Sequence, residues 1–193
     1  MPTPVKAVIF DFFGVICSEI TPFVLPRYMA DDVAVEYKAT IVERADRGDI
    51  DLDDVLAHLS KLTGATPATL LAEFWAQVNI DAEVVALMEA LRGRYKIALL
   101  SNAMRPFLDQ ILDKHDLKRR FDVMVISCEE HVTKPDPAIF HLAVERLGVP
   151  AEACVFTDDN LVNVEAAIAV GIKAVRFTGV AQLKTDLAAL GVL

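Results

Sequence analysis

Several polar residues in this sequence come directly after short apolar runs, and their types are those that perform chemistry in enzymes. They are Asp11, the Ser101-Asn102 pair, Lys134 and the Asp158-Asp159 pair. Ligands of an open parallel sheet bind outside the carboxyl ends of its strands. We therefore expect these side chains to meet at one sheet edge, which would then carry up to three carboxylates, a hydroxyl and an ammonium.

Such a group of side chains suits the transfer of a phosphoryl group. Carboxylates held together repel one another, and a bound cation or protonation relieves that repulsion. Oxygen ligands with no His or Cys beside them favour a hard cation such as Mg²⁺. Mg²⁺ and Lys134 could neutralise phosphoryl oxygens while Ser101 donates to them, and Asp11 would be the nucleophile that forms an aspartyl-phosphate. Taken singly, each residue also has a purely structural interpretation as a turn or cap residue.

The apolar runs themselves predict five buried parallel strands, because they are almost continuously apolar and do not alternate. The runs are Val5 to Phe10, Ile97 to Leu100, Val123 to Ile126, Cys154 to Thr157 and Ala174 to Phe177. Helical periods separate them from about residue 83 onward, with an expected N-cap at Asp136 and a stop at Gly148. This alternation predicts a doubly wound α/β sheet.

Residues 15–82 interrupt the alternation and offer only helical segments. These segments are 33–45, 52–62 after an Asp51 cap, and 67–77 after Thr66. We predict a core domain made of residues 1–14 and 83–193, with a helical cap domain at 15–82 that acts as a lid over the strand ends. The alternative is that these helices only extend the core, since helices packed on a sheet have the same pattern.

Composition excludes some functions. The formal net charge of −9 makes nucleic acid a poor partner, because phosphate backbones are held by clustered Lys and Arg. A hydrophobic share of 54% with 24% charged residues predicts a well-packed globular protein. No apolar stretch approaches the roughly 20 residues that cross a bilayer, and the start lacks a signal-peptide layout. Together with three scattered cysteines, this predicts a cytoplasmic protein with no membrane partner.

The polar residues occur in four motifs that resemble those of the haloacid dehalogenase-like (HAD) superfamily. Asp11-Phe12-Phe13-Gly14-Val15 is similar to the first motif, D-x-D-x-[TV]; Ser101 stands for the second, Lys134 for the third, and Asp158-Asp159 with Asn163 for the fourth. The resemblance covers essentially the whole chain.

The segments TKPDPAIF and FTDDNLVNVEAA are especially similar to one branch of that superfamily. It contains bacterial sugar-phosphate phosphatases and the N-terminal phosphatase domain of soluble epoxide hydrolases. The resemblance implies a small helical cap, a Mg²⁺-dependent hydrolase acting on a small phosphorylated metabolite, and catalysis by Asp11, Ser101 and Lys134. It also implies substrate binding by Ser101, Asn102 and Lys134. Mg²⁺ would be held by Asp11, the Phe13 carbonyl and Asp158, with Asp159 supporting directly or through water.

Phe13 departs from the motif, because most phosphatases of the superfamily have an acid there that protonates the leaving group and then activates water. A phenyl ring does neither, and loss of an acid-base group typically costs about 10² to 10⁴ in rate. The first interpretation is a phosphatase that uses another group, for which His131 is a candidate, or that accepts weakly basic leaving groups. The second is a dehalogenase, which needs no proton; the third is a non-catalytic binding protein that keeps the fold.

Overall fold

The computed structural model describes residues 3–193 and contains one five-stranded parallel sheet. Its strands are β1 (Ala7–Phe10), β2 (Lys96–Ser101), β3 (Val123–Ile126), β4 (Cys154–Asp158) and β5 (Lys173–Arg176). They lie in the order β3-β2-β1-β4-β5, and every neighbouring pair is parallel. Chain order reverses at β1, so β1 lies at the switch point where ligands of doubly wound sheets bind.

The apolar runs form strands because both faces of the sheet are covered. All four residues of β1 are fully buried, with Val8 and Phe10 in the core on one face and Ala7 and Ile9 in the core on the other. A strand buried on both sides gains from apolar side chains at every position, which explains the continuous runs. The predicted α/β class is confirmed.

Helices connect the strands and are the main elements of the segment between β1 and β2. They are α1 (Thr21–Val24), α2 (Asp31–Tyr37), α3 (Glu43–Asp46), α4 (Leu52–Thr63), α5 (Pro67–Gln77), α6 (Ala82–Leu91), α7 (Phe107–Lys114), α8 (Ser127–Glu130), α9 (Pro137–Leu147), α10 (Leu161–Ala169) and α11 (Val180–Ala189). A π-helical turn, Lys38–Val42, joins α2 to α3. The division into core and cap domains stays a prediction; we call the helical segment 15–82 the insert.

Local signals in the sequence set several helix ends as expected. Asp51 caps α4 and forms a reciprocal capping box with Asp54. Thr66 caps α5, Asp136 caps α9, and Gly148 ends α9 in the left-handed conformation.

Some boundaries differ from the sequence expectation. β1 begins at Ala7 instead of Val5, and β5 is Lys173–Arg176 instead of 174–177. The first helix of the insert was expected at Val33, but α2 begins at Asp31, because two acidic residues in its first turn favour the helix N-terminus. The short helix α1 was not predicted. Within residues 3–193, every helix is too short or too polar to cross a membrane.

Candidate active site

Asp11 is the first residue after β1 and lies at the floor of the site. Its backbone N–H donates to the Thr157 carbonyl of the neighbouring strand at 3.0 Å, which fixes the residue between β1 and β4. The Phe12 N–H donates to Asp11 Oδ1 at 2.7 Å. The side chain is 9% exposed, so its carboxylate is largely withdrawn from water but still reaches the cavity described below.

Lys134 joins two carboxylates that come from different strands. Its Nζ lies 2.7 Å from Asp11 Oδ1 and 2.7 Å from Asp158 Oδ2, and its side chain is only 1% exposed. Burial lowers the pKa of Lys134, but Asp11 and Asp158 more than offset this effect and hold that pKa above its ordinary value. A charged ammonium is therefore fixed beside Asp11.

Asp158 ends β4, and its carboxylate accepts three hydrogen bonds from two donor groups besides its contact with Lys134. Asn163 Nδ2 donates to both of its oxygens, at 3.1 and 3.0 Å, and the Asn160 N–H donates to Oδ1 at 2.8 Å. Asn163 comes from the first turns of α10, which Asn160 caps. These contacts explain why a fully buried carboxylate is tolerated here.

Asp159 completes a cluster of three carboxylates. One oxygen from each of Asp11, Asp158 and Asp159 lies within 4.8 Å of the others. Gly14 permits this approach, since its φ is +86° and an added Cβ would lie 2.5 Å from Asp159 Cγ.

The electrostatics of the cluster fit a bound cation. Burial raises the pKa of Asp11 well above its ordinary value, and Asp158 raises it further while Lys134 opposes the change. Burial and then Asp158 also raise the pKa of Asp159. Both carboxyls are therefore ionised at a cost, and a divalent cation among oxygen ligands would remove that cost.

Ser101 and Asn102 follow β2 and differ in what they contact. The Asn102 side chain exchanges two hydrogen bonds with the backbone of Lys134, at 2.8 and 2.9 Å, and so positions the loop that carries the ammonium. Ser101 is fully buried, and its Oγ has no hydrogen-bond partner within residues 3–193. Such a hydroxyl can donate to a bound anion.

A cavity of about 310 Å³ lies between this sheet edge and the insert. That volume is near the lower end of the range of about 300 to 1,000 Å³ typical of small-molecule sites. Asp11, Asn102, Lys134 and Asp159 line it, whereas Ser101 and Asp158 lie behind its surface. Many of its other lining residues are apolar: Phe13, Ile20, Val42, Leu52, Phe74, Ala103, Met104, Phe107, Pro135 and Val162.

Three charged residues of the insert also line the cavity, and the sequence patterns did not indicate them. They are Glu19, Lys38 and Asp46, with Lys38 Nζ 3.9 Å from Glu19 Oε1. Their only sequence signal is their place within the insert. His131, the candidate for a substitute acid, is not part of the cavity wall, and its Nδ1 lies 3.1 Å from the Arg47 carbonyl.

Comparison with known proteins shows the family of this chain. Residues 5–171 match the haloacid dehalogenase-like hydrolase family. A sesquiterpene phosphatase of Aspergillus oryzae is 28% identical over 182 residues, which are 92% of each chain. A phosphorylated carbohydrates phosphatase of Thermotoga maritima is 38% identical over 97 residues, which cover 50% of this chain and 44% of that relative.

A solved structure shows the same fold over nearly the whole chain. A HAD family enzyme of Bacteroides thetaiotaomicron superposes with a TM-score of 0.81 at 18% identity, covering 95% of this chain and 99% of that one. Its complex with magnesium and inorganic phosphate superposes with a TM-score of 0.74 at 19% identity, over 89% and 93% of the two chains. The present chain belongs to the haloacid dehalogenase-like hydrolase family.

Proposed function

We propose that this HAD hydrolase is a Mg²⁺-dependent phosphatase that uses Asp11 as its nucleophile on a small phosphorylated metabolite. The observation that carries the proposal is the contact of Asp11 with Lys134 at 2.7 Å, inside a cluster of three carboxylates that opens into a cavity. An ammonium beside the nucleophile can neutralise the oxygens of an incoming phosphate ester, and a carboxylate can accept the phosphoryl group.

Each residue has a distinct part in this proposal. An oxygen of Asp11 attacks phosphorus, Lys134 and Ser101 donate to the phosphoryl oxygens, and Asn102 fixes the Lys134 loop. Asp11, the Phe13 carbonyl and Asp158 would hold Mg²⁺, with support from Asp159. The ion would supply positive charge against the phosphoryl oxygens. A cytoplasmic location belongs to the same proposal and is supported by three free cysteines.

The organic part of the substrate is proposed to be largely apolar. Val42, Leu52, Phe74, Met104 and Phe107 line the cavity, and three of them, Val42, Leu52 and Phe74, come from the insert. Apolar walls stabilise an apolar ligand by removing its surface from water. The Aspergillus relative, whose name gives a sesquiterpene as the substrate, supports the same class of leaving group.

The dehalogenase interpretation has weaker support from the site. Phe13 lines the cavity, as a residue near a halide would. Displacement of halide by a carboxylate needs no metal, however, and Asp159 would then add an unbalanced negative charge beside Asp11.

Phosphate release tests the proposal. We would assay alkyl phosphates of increasing chain length, sugar phosphates and haloacids, with Mg²⁺ and with EDTA, using the wild type, Asp11→Asn and the exposed control Asp122→Asn. Release that requires both Mg²⁺ and Asp11, with a preference for apolar phosphates, is the expected result. Halide release from haloacids without Mg²⁺ would establish the dehalogenase instead, and absence of both products would leave only a binding role.

A further inference from the structure

A phosphatase with Phe13 in its first motif still has to protonate a leaving oxygen. An alkoxide is a poor leaving group, so an alkyl phosphate needs a proton donor near that oxygen as the P–O bond breaks. In an in-line displacement the leaving oxygen points away from the nucleophile. Asp11 lies at the sheet edge and the insert forms the opposite wall of the cavity, so the insert is a second place, besides position 13, from which a donor can reach that oxygen.

The cavity wall contains two carboxyl groups outside the metal cluster, Glu19 and Asp46. Glu19 is paired with Lys38 at 3.9 Å, and burial, followed by the charge of Asp159, raises its pKa. Asp46 is the last residue of α3, and its carboxyl group forms no hydrogen bond within residues 3–193. It is therefore free to donate to a ligand, and it lies close enough to Lys134 for that ammonium to lower its pKa.

The end of α3 is fixed to the core, so Asp46 does not depend on closure of the insert for its position. The Ser127 hydroxyl donates to the Asp46 carbonyl and accepts the Ala103 N–H at 3.0 Å, which ties α3 to the loop after β2. Gly48 packs so closely that an added Cβ would lie 2.4 Å from the Cys128 carbonyl. A preorganised position of this kind is what a proton donor requires.

Resting on the proposed phosphatase function, we propose that Asp46 is the acid-base residue of this enzyme and does the work that Phe13 cannot do. In the first step an oxygen of Asp11 bonds to phosphorus, the bond from phosphorus to the leaving oxygen breaks, and the Asp46 carboxyl gives its proton to that oxygen. In the second step the Asp46 carboxylate takes a proton from water. The oxygen of that water bonds to phosphorus, and the bond to Asp11 breaks, releasing inorganic phosphate.

The surroundings of Asp46 favour a protonated carboxyl near neutral pH. Burial raises its pKa to about 7, with Glu19 and Glu43 adding to the shift while Lys38 and Lys134 oppose it. Burial raises the pKa of the Cys128 thiol on α8, and the charge of Asp46 contributes to that rise. An acid with a pKa near the working pH can both give and take a proton.

Two substrates of different leaving-group basicity test this role. We would measure single-turnover release of leaving group from an alkyl phosphate and from p-nitrophenyl phosphate, whose leaving group needs no proton. For Asp46→Asn we expect release from the alkyl phosphate to fall about 10² to 10⁴-fold, while release from the aryl phosphate changes little. In the pH dependence of the alkyl phosphate rate, the fall in rate above about pH 7 should disappear. Steady-state turnover of the aryl phosphate should slow after an initial burst of p-nitrophenol.

Matched variants keep the result interpretable. Asp49→Asn changes an exposed acid on the same segment and should behave as the wild type. Asp46→Glu should retain part of the rate. In the double variant Asp46→Asn with Phe13→Asp, an acid returns at the position of the motif and should restore alkyl phosphate cleavage, which a merely misfolded variant would not show.

Equal cleavage of the alkyl phosphate by Asp46→Asn and the wild type, with the fall in rate above about pH 7 intact, would overturn the assignment of Asp46. Failure of the phosphatase function gives a different result, namely a wild type that releases no phosphate or an Asp11→Asn variant that stays active. Either of those outcomes overturns both proposals.

Discussion

Replacement of Lys134 by Met removes the one ammonium that contacts both Asp11 and Asp158. Both contacts are 2.7 Å long, and the three side chains are 1%, 9% and 0% exposed, so water from the cavity replaces the lost partner only in part. Breaking a buried ion pair by removing one member typically costs about 3 to 5 kcal/mol. We expect a loss of that size in the free energy of unfolding at pH 7 in the presence of EDTA.

The loss should depend on pH in a defined direction. Burial raises the pKa of Asp11 above its unfolded value, so its contribution to stability is present below the unfolded pKa and is lost as the pH rises through the folded pKa. Without Lys134 this folded pKa rises further, because a favourable charge is gone. The difference between variant and wild type should therefore grow as the pH rises through the folded pKa of Asp11 in the variant, and shrink as the pH falls and Asp11 becomes protonated in both proteins.

Urea unfolding at several pH values, with and without Mg²⁺, measures these effects. Lys184→Met, on the exposed side of α11, is the control and should stay within about 0.5 kcal/mol of the wild type. Mg²⁺ at 100 times its Kd should restore about 2.7 kcal/mol to Lys134→Met if the ion binds only the folded chain. A variant as stable as the wild type at pH 7 in EDTA would refute the argument that Lys134 balances two buried carboxylates.

Other variants test neighbouring parts of the site. Gly14→Ala should raise the Mg²⁺ concentration needed for half-maximal activity, because its Cβ displaces Asp159. Gly93→Ala, with a φ of +82° and nothing within 4 Å, should cost only about 1 to 2 kcal/mol of backbone strain and leave that concentration unchanged. Equal effects of the two variants in a Mg²⁺ titration would contradict this. Met104→Gln should raise KM for long alkyl phosphates more than for sugar phosphates, and a uniform change in KM would argue against an apolar subsite. Ser101→Ala should leave thermal stability unchanged or slightly higher, since its hydroxyl has no partner within residues 3–193, but should weaken inhibition by inorganic phosphate; unchanged inhibition would remove Ser101 from the phosphate site.

The sheet and the main acids could be predicted from the sequence because each depends on local rules. A strand covered on both faces is apolar throughout, and the residue after it lies at the carboxyl edge wherever the strand is placed in the sheet. Asp11, Lys134 and Asp158 therefore meet as expected. Their distances did not follow from the sequence, because the 2.7 Å contacts depend on the Asn102 and Asn163 side chains that hold the loops.

The inner face of the insert could not be predicted, and the reason lies in one turn. The π-helical turn Lys38–Val42 inserts about one extra residue into the helical phase between α2 and α3. A regular period of 3.6 residues carried across it assigns the wrong face to the residues that follow. Asp46 consequently gave no signal in the sequence, although it lines the cavity.

The most direct test of the account is to trap the covalent intermediate. Wild-type protein would be mixed with ³²P-labelled p-nitrophenyl phosphate, whose leaving group needs no proton, and Mg²⁺, quenched with acid during the first turnover, digested and mapped by mass spectrometry. The account predicts labelled phosphate on Asp11, more of it in Asp46→Asn, and none in Asp11→Asn. Release of labelled phosphate in the same interval from Asp46→Asn, with no label on the chain at any time, would contradict it.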